Sequence, residues 1–244
     1  MKISLLIAQL LQKIAVSNVR AAEQPASGKE FAMRSVRIFY KKFGNMKFVS
    51  HLDINRFMIR VVRMSRIPVW YSEGFNPHPY ITFALPLSLG FDSEYEVVDI
   101  RLDQDDYPNE MVFEKLKELM PEGIAVFDCG DPIMKAGEVA FADFRINFDN
   151  LSFKDELDSF LSSETIYAEK KTKKGGTKLV DLKEYINNFS FDDNSLILTL
   201  AAGGSNNLNP KLLLDAFEAQ TGLELPAVTI TRTMLYNAKM EKFK

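Results

Sequence analysis

The sequence predicts an α+β protein made of two ferredoxin-like β-α-β-β-α-β units in tandem. Three observations lead there. Stretches in which apolar and polar residues alternate, the period of a half-buried strand, are interleaved with stretches whose apolar residues recur at helical spacing. The element order of the first half recurs in the second, although no sequence similarity relates the halves. A turn cluster, Gly130-Asp131-Pro132 with Gly137 beyond it, lies between them. The 244 residues leave room for two such units of about 100 residues each. A composition that is 46% hydrophobic and 26% charged is that of a folded globular chain.

In the first half, residues 36–43 alternate as a strand does, Gly44-Asn45 marks a turn, and residues 47–49 read as extended. A helix follows, to about residue 65. Ser50 is placed to cap it and Asp53 supplies the acid three positions on. Ile54, Phe57, Met58, Val61 and Val62 form its apolar face, and Arg56, Arg60 and Arg63 fall on another. Residues 68–71 read as strand, and 74–79 as a loop stiffened by Pro77 and Pro79. Strands are expected at 80–87 and 95–102, a helix at 108–120 with Pro108 in its first turn, and a strand at 124–127. The second half repeats the order: strand 139–148, helix 153–161, strands 165–168 and 196–200, helix 210–220 and strand 228–232. Its second helix has Asn209 as N-cap, Pro210 in the first position and Gly222 just past the end. The units are therefore expected at 33–130 and 137–236, with 237–244 as a tail.

Residues 1–32 stand apart. An apolar run at 3–16 follows Lys2 and precedes Val19-Arg20-Ala21, which has some likeness to an export signal. Gln9, Gln12 and Lys13 interrupt that run, and it is too short to span a bilayer. It reads as an amphipathic leader or a non-native extension, poorly ordered or a lone helix, with the fold starting at Met33. Cys129 is the only cysteine, which excludes an intramolecular disulfide and any zinc or iron–sulfur site built from several cysteines of this chain. The residues point to a cytoplasmic protein with no membrane anchor, no metal site and no cofactor of its own.

The charge distribution is uneven. Residues 34–66 hold nine Lys or Arg against one acid, Asp53, on a chain whose net charge is −3. A strongly cationic segment on an acidic chain favours a polyanionic ligand, and nucleic-acid backbone is the commonest of these. Arg56, Arg60 and Arg63, spaced at i, i+4 and i+7, line up along one side of the helix, where their forks match phosphate oxygens. Lys41, Lys42 and Lys47 precede them. In the loop after the helix, Phe75 is suited to stack on an unpaired base, and Asn76 and His78 to contact base edges or phosphate. Lys173 and Lys174 sit in a lysine-rich, glycine-containing loop that suits electrostatic clamping of a backbone. Each feature also has a structural alternative: a solvated helix face, a loop whose aromatics belong to the core, a solvated hairpin tip. The glycine-rich stretch 201–207 lacks the Lys-Ser/Thr pair of a P-loop. The two histidines, His51 and His78, are the candidates for acid–base chemistry on a ribose hydroxyl if they share a site.

Several of these residues also carry a family resemblance. Phe48-Val49-Ser50-His51-Leu52-Asp53, Gly74-Phe75-Asn76-Pro77-His78-Pro79, Phe83-Ala84-Leu85-Pro86-Leu87 and Arg232-Thr233-Met234-Leu235-Tyr236 resemble the radical-SAM-linked domain of unknown function. That family occurs as stand-alone proteins encoded beside a radical SAM protein, often cobalamin-binding, or fused to its C-terminus. The resemblance implies a radical SAM partner and gives no reaction. The radical SAM cluster needs three closely spaced cysteines, so this chain cannot be the radical enzyme. The leading expectation is an RNA-binding module, for tRNA or rRNA, that assists a radical SAM RNA-modifying partner and is not itself an enzyme. The alternatives are a metal-independent endoribonuclease resembling the RAMP proteins of CRISPR systems, with His51 and His78 as acid and base, and a protein-interaction domain that docks the radical SAM enzyme without RNA.

Overall fold

Among the described residues the chain forms ten strands and four α-helices. The strands are β1 (Ser35–Lys42), β2 (Ile81–Phe83), β3 (Asp92–Arg101), β4 (Ile124–Gly130), β5 (Phe141–Phe148), β6 (Tyr167–Lys171), β7 (Thr177–Asp181), β8 (Ile186–Asp192), β9 (Ser195–Ala201) and β10 (Val228–Tyr236). The helices are α1 (His51–Ser65), α2 (Asn109–Leu119), α3 (Lys154–Ser162) and α4 (Pro210–Thr221). The structure is a computed structural model and describes residues 34–171, 176–204 and 206–244. The expectations for residues 1–32 and for Lys173 and Lys174 lie outside those residues.

Eight strands form one mixed sheet in the order β4-β1-β3-β10-β5-β9-β8, with β2 also paired to β3. Each half thus places its four sheet strands in the order fourth, first, third, second: β4-β1-β3-β2 and β10-β5-β9-β8. All pairings within a half are antiparallel. The halves meet where β10 runs parallel to β3, pairing Thr231 with Asp92 and Arg232 with Ser93. The α+β class holds, and one compact unit spans both halves.

Two apolar cores follow from the strand period of two. Val36, Ile38 and Tyr40 on β1 join Val98 and Ile100 on β3, with Ile54, Met58, Val61 and Val62 of α1 and Val112 and Leu116 of α2. Phe39 and Val97, which alternate with these residues along β1 and β3, belong to the other core, with Phe144, Leu157, Phe160, Leu198, Phe217 and Phe243. α1 begins as its sequence requires: the Ser50 hydroxyl accepts the Asp53 amide at 3.2 Å and donates to the Asp53 carboxylate at 2.7 Å. The Asn209 side chain caps α4 through the Lys211 amide, and Gly222 closes it in the left-handed conformation.

Several expectations need correction. Residues 68–71 form no strand and carry only isolated bridges, Val69 to Leu102 and Tyr71 to Pro79. Residues 47–49 are not a strand: Gly44–Phe48 is a 3-10 turn, seated where the Phe43 amide bonds Gly123 O at 2.9 Å. Gly123 has φ +90°, and a Cβ there would lie 2.6 Å from Met46 Cγ and 2.7 Å from Phe43 O, so only glycine lets the turn approach. The strand expected at 80–87 stops at Phe83, because the Leu85 and Pro86 carbonyls turn to the Arg232 guanidinium and Pro86 has no N–H to give a ladder. In the second half, β6 belongs to a separate hairpin with β7, and the strand beside β9 is β8, which the sequence did not reveal. Residues 237–244 are no loose tail. Phe243 is fully buried under the Arg37 guanidinium, and Lys244 O accepts from Arg37 and from the Ile133 and Met134 amides.

Candidate nucleic-acid interface

The cations of residues 34–66 separate into two groups when the chain folds. Val36, Ile38 and Tyr40 take one face of β1, which sends Arg37 to the other, where it is 0% exposed and held bidentately by Asp99 at 2.7 and 2.8 Å. Lys42 is 2% exposed, and its Nζ donates to Val49 O at 3.1 Å. Desolvation lowers its pKa, with Glu96 and Asp92 pulling the other way. Lys42 therefore cannot hold a phosphate at the surface, which corrects the role expected of it. Lys47 is half-buried, 3.9 Å from Asp92 and over the Phe48 ring. Arg34 is tied to Asp131, Asn109 and the Tyr107 carbonyl. Lys41 is exposed at a bulge of β1 opposite Ala125.

What remains together is the outer side of α1. Arg56, Arg60 and Arg63 are all exposed, and so is Arg66, which ends the helix in the left-handed conformation at φ 55°. Asp53 meets Arg56 at 3.4 Å, but both are open to water, where such a pair neutralises little. Arg66 is the cation that sequence reasoning leaves without a role; it stands one residue past the helix, so helical spacing does not point to it, and only its exposure adds it to the group.

Arg63 links this row to the 71–79 loop, donating to Pro77 O at 3.1 Å. The loop is a braced finger. Trp70 and Tyr80 form its base, where the Trp70 amide bonds Arg101 O, the Tyr80 amide bonds Trp70 O, and the Arg101 guanidinium lies 4.4 Å from the Tyr80 ring centre. Tyr71 bridges to Pro79. Ser72 donates its amide to His78 O at 2.9 Å, and its hydroxyl lies 3.0 Å from His78 Nδ1. Gly74 turns the tip at φ +117°, and Phe75 stands fully exposed beside exposed Asn76.

The histidines occupy different surroundings. His78 braces the finger. His51, at the start of α1, packs edge-on to Phe83 with ring centres 4.9 Å apart, and burial lowers its pKa, with Glu96 opposing and Lys42 and Arg232 assisting. No hydrogen bond joins the two imidazoles among the described residues. Burial pushes the Cys129 thiol up to about 12, aided by Asp128, so it is an unreactive thiol at neutral pH.

Beneath α1 lies a polar support. Arg232 from β10 reaches across to β3, where its Nε and Nη2 donate to Glu96; the side chains are 2% and 4% exposed. Its other donors hold the Leu85 and Pro86 carbonyls. The motif residues are thus tied together: 48–53 through Lys42 to Val49 O and His51 to Phe83, 74–79 through Arg63, and 83–87 through Arg232.

The family described as "Uncharacterized protein conserved in bacteria (DUF2344)" matches residues 35–210, from β1 to the first residue of α4. The chain belongs to this family. No curated protein matches it. The DUF2344 match contains α1, the finger and Glu96, while Arg232 lies beyond it. Among the described residues of this DUF2344 chain, no helix is long and apolar enough to cross a membrane, and no group of three or more His, Cys, Asp or Glu is placed to hold a metal ion.

Proposed function

We propose that this DUF2344 protein is a non-catalytic module that binds RNA, transfer or ribosomal, for a radical SAM partner that modifies it. One observation carries the RNA assignment: Arg56, Arg60 and Arg63 are exposed at helical spacing on α1 and Arg66 is exposed just past its end, with a single weak carboxylate contact among them. Guanidinium groups in such a row suit successive phosphates. The radical SAM partner is supported by the motif resemblance, and by the single cysteine, which leaves the cluster to another chain.

The test is a charge reversal. In the variant Arg60→Glu/Arg63→Glu/Arg66→Glu, fluorescence anisotropy with labelled tRNA should show weaker binding. The dependence of log K on log salt should also flatten, by about 0.7 to 0.9 for each phosphate no longer neutralised. Unchanged affinity and slope would remove RNA from the proposal. Co-purification of the radical SAM partner before and after nuclease treatment separates an RNA-bridged assembly from direct protein docking.

A further inference from the structure

The finger next to the arginine row displays an aromatic ring in a way that calls for a ligand. Phe75 is fully exposed, the most exposed of the large apolar side chains among the described residues. Leaving such a ring in water gives up the benefit of burying it. A floppy loop would let the ring fold back onto the surface, but this loop is held from several sides. The Tyr71–Pro79 bridge closes it, Ser72 and His78 exchange hydrogen bonds across it, and Arg63 fastens Pro77 to α1. Pro77 and Pro79 restrict the backbone further. The ring is preorganised, so little entropy is lost when something packs on it.

The surroundings narrow the chemistry. A ligand of Phe75 must offer a planar or apolar surface, and Arg63, which touches the finger at Pro77 O, with exposed Arg60 and Arg66 before and after it in the chain, favours one that also carries negative charge. A nucleotide with its base unpaired has both, and in a duplex the base faces are already stacked. We infer that Phe75 is a stacking platform for an unpaired base, and that the RNA recognised is a single-stranded or looped segment whose phosphates lie along α1. This deepens the RNA reading above and rests on it. His78 and Ser72 act here as positioning residues that hold the finger. A protein with an apolar pocket in an acidic surface is the competing occupant.

The chain carries its own reporter. Trp70 is its only tryptophan and sits at the base of the finger, its ring centre 5.5 Å from that of Tyr80. Titration of the full chain with oligoadenylate of roughly a dozen nucleotides should change Trp70 fluorescence, and a blunt duplex of equal length should bind more weakly. Phe75→Ala should weaken single-strand binding between about fivefold and a hundredfold while leaving the salt slope unchanged, because every phosphate keeps its cation. Phe75→Trp should retain binding. Since Phe75 touches no core, weaker binding by Phe75→Ala cannot be ascribed to unfolding, which a thermal melt will verify. Binding that persists in Phe75→Ala, or a duplex that binds as well as the single strand, overturns the stacking inference and leaves the arginine reading standing. Failure of the wild-type chain to bind either oligonucleotide overturns both and points to the protein occupant.

Discussion

Arg232 and Arg63 carry the same side chain to opposite ends. Arg232 is enclosed between β10 and β3, where Glu96 and two carbonyls take its donors. Arg63 stands in water and gives a single hydrogen bond to Pro77 O. Arg37 and Lys42 side with Arg232; Arg56, Arg60 and Arg66 side with Arg63. The difference teaches that counting charges along a chain overstates a surface patch. A buried cation is a structural element that acts by holding named oxygens in place. An exposed one is free to meet a ligand.

Removing one of each kind sharpens the contrast. Arg232→Leu leaves Glu96 buried without its partner and frees two carbonyls, and should cost about 3–5 kcal/mol in urea unfolding. Arg63→Leu should stay within about 0.5 kcal/mol. Adding Glu96→Leu to the first variant should recover part of the deficit, since an apolar pair is tolerated where a lone buried charge is not. Equal costs for the two single variants would break the distinction.

The aromatic rings divide in the same way, with a somewhat smaller expected effect. Phe243 is fully buried beneath Arg37, and Phe243→Ala should destabilise by about 3 kcal/mol through the cavity left behind. Phe75→Ala should be close to neutral in the same unfolding experiment, because its ring already faces water. A costly Phe75→Ala would mean that the finger packs against something and is no platform.

Much of this was legible in the residues. Local signals placed α1 from Ser50 to Ser65, with Ile54, Met58, Val61 and Val62 inward, and placed α4 from Asn209 to Gly222. Their caps and helical spacing are set by neighbours in sequence. What escaped depends on contacts distant in sequence. β8 lies at a sheet edge, and its Asn187, Asn188 and Ser190 read as turn formers; only pairing with β9 makes them a strand. The break after Phe83 comes from Arg232, which holds the carbonyl of Leu85, 147 residues away in sequence. The burial of Lys42 escaped for a local reason: its Nζ finds Val49 O, seven residues on, only because residues 44–48 form a 3-10 turn where the sequence reads as extended. For the interface, spacing alone gave the row of arginines. The bracing that makes Phe75 a fixed platform required the bridge and the Ser72–His78 contacts.

The smallest expected effect lies where the buried and exposed groups meet, at His51. Its ring is half-buried between Phe83 and the Glu96–Arg232–Lys42 support, and burial outweighs the pull of Glu96 to depress its pKa below the ordinary 6.5. Below 6.5 the unfolded chain takes up a proton that the folded protein refuses, so His51 makes stability fall as pH drops through the window between 6.5 and its folded value, and rise again as pH climbs back. The His51→Gln variant should therefore show a shallower decline in stability on acidification from about pH 7 to 5 than the wild-type chain. With only two histidines, proton NMR of a His78→Gln variant assigns the remaining ring without ambiguity. A His51 that titrates at or above 6.5 would mean that the Glu96 carboxylate, not burial, governs this end of α1, and the boundary between buried support and open surface would have to move outward to include it.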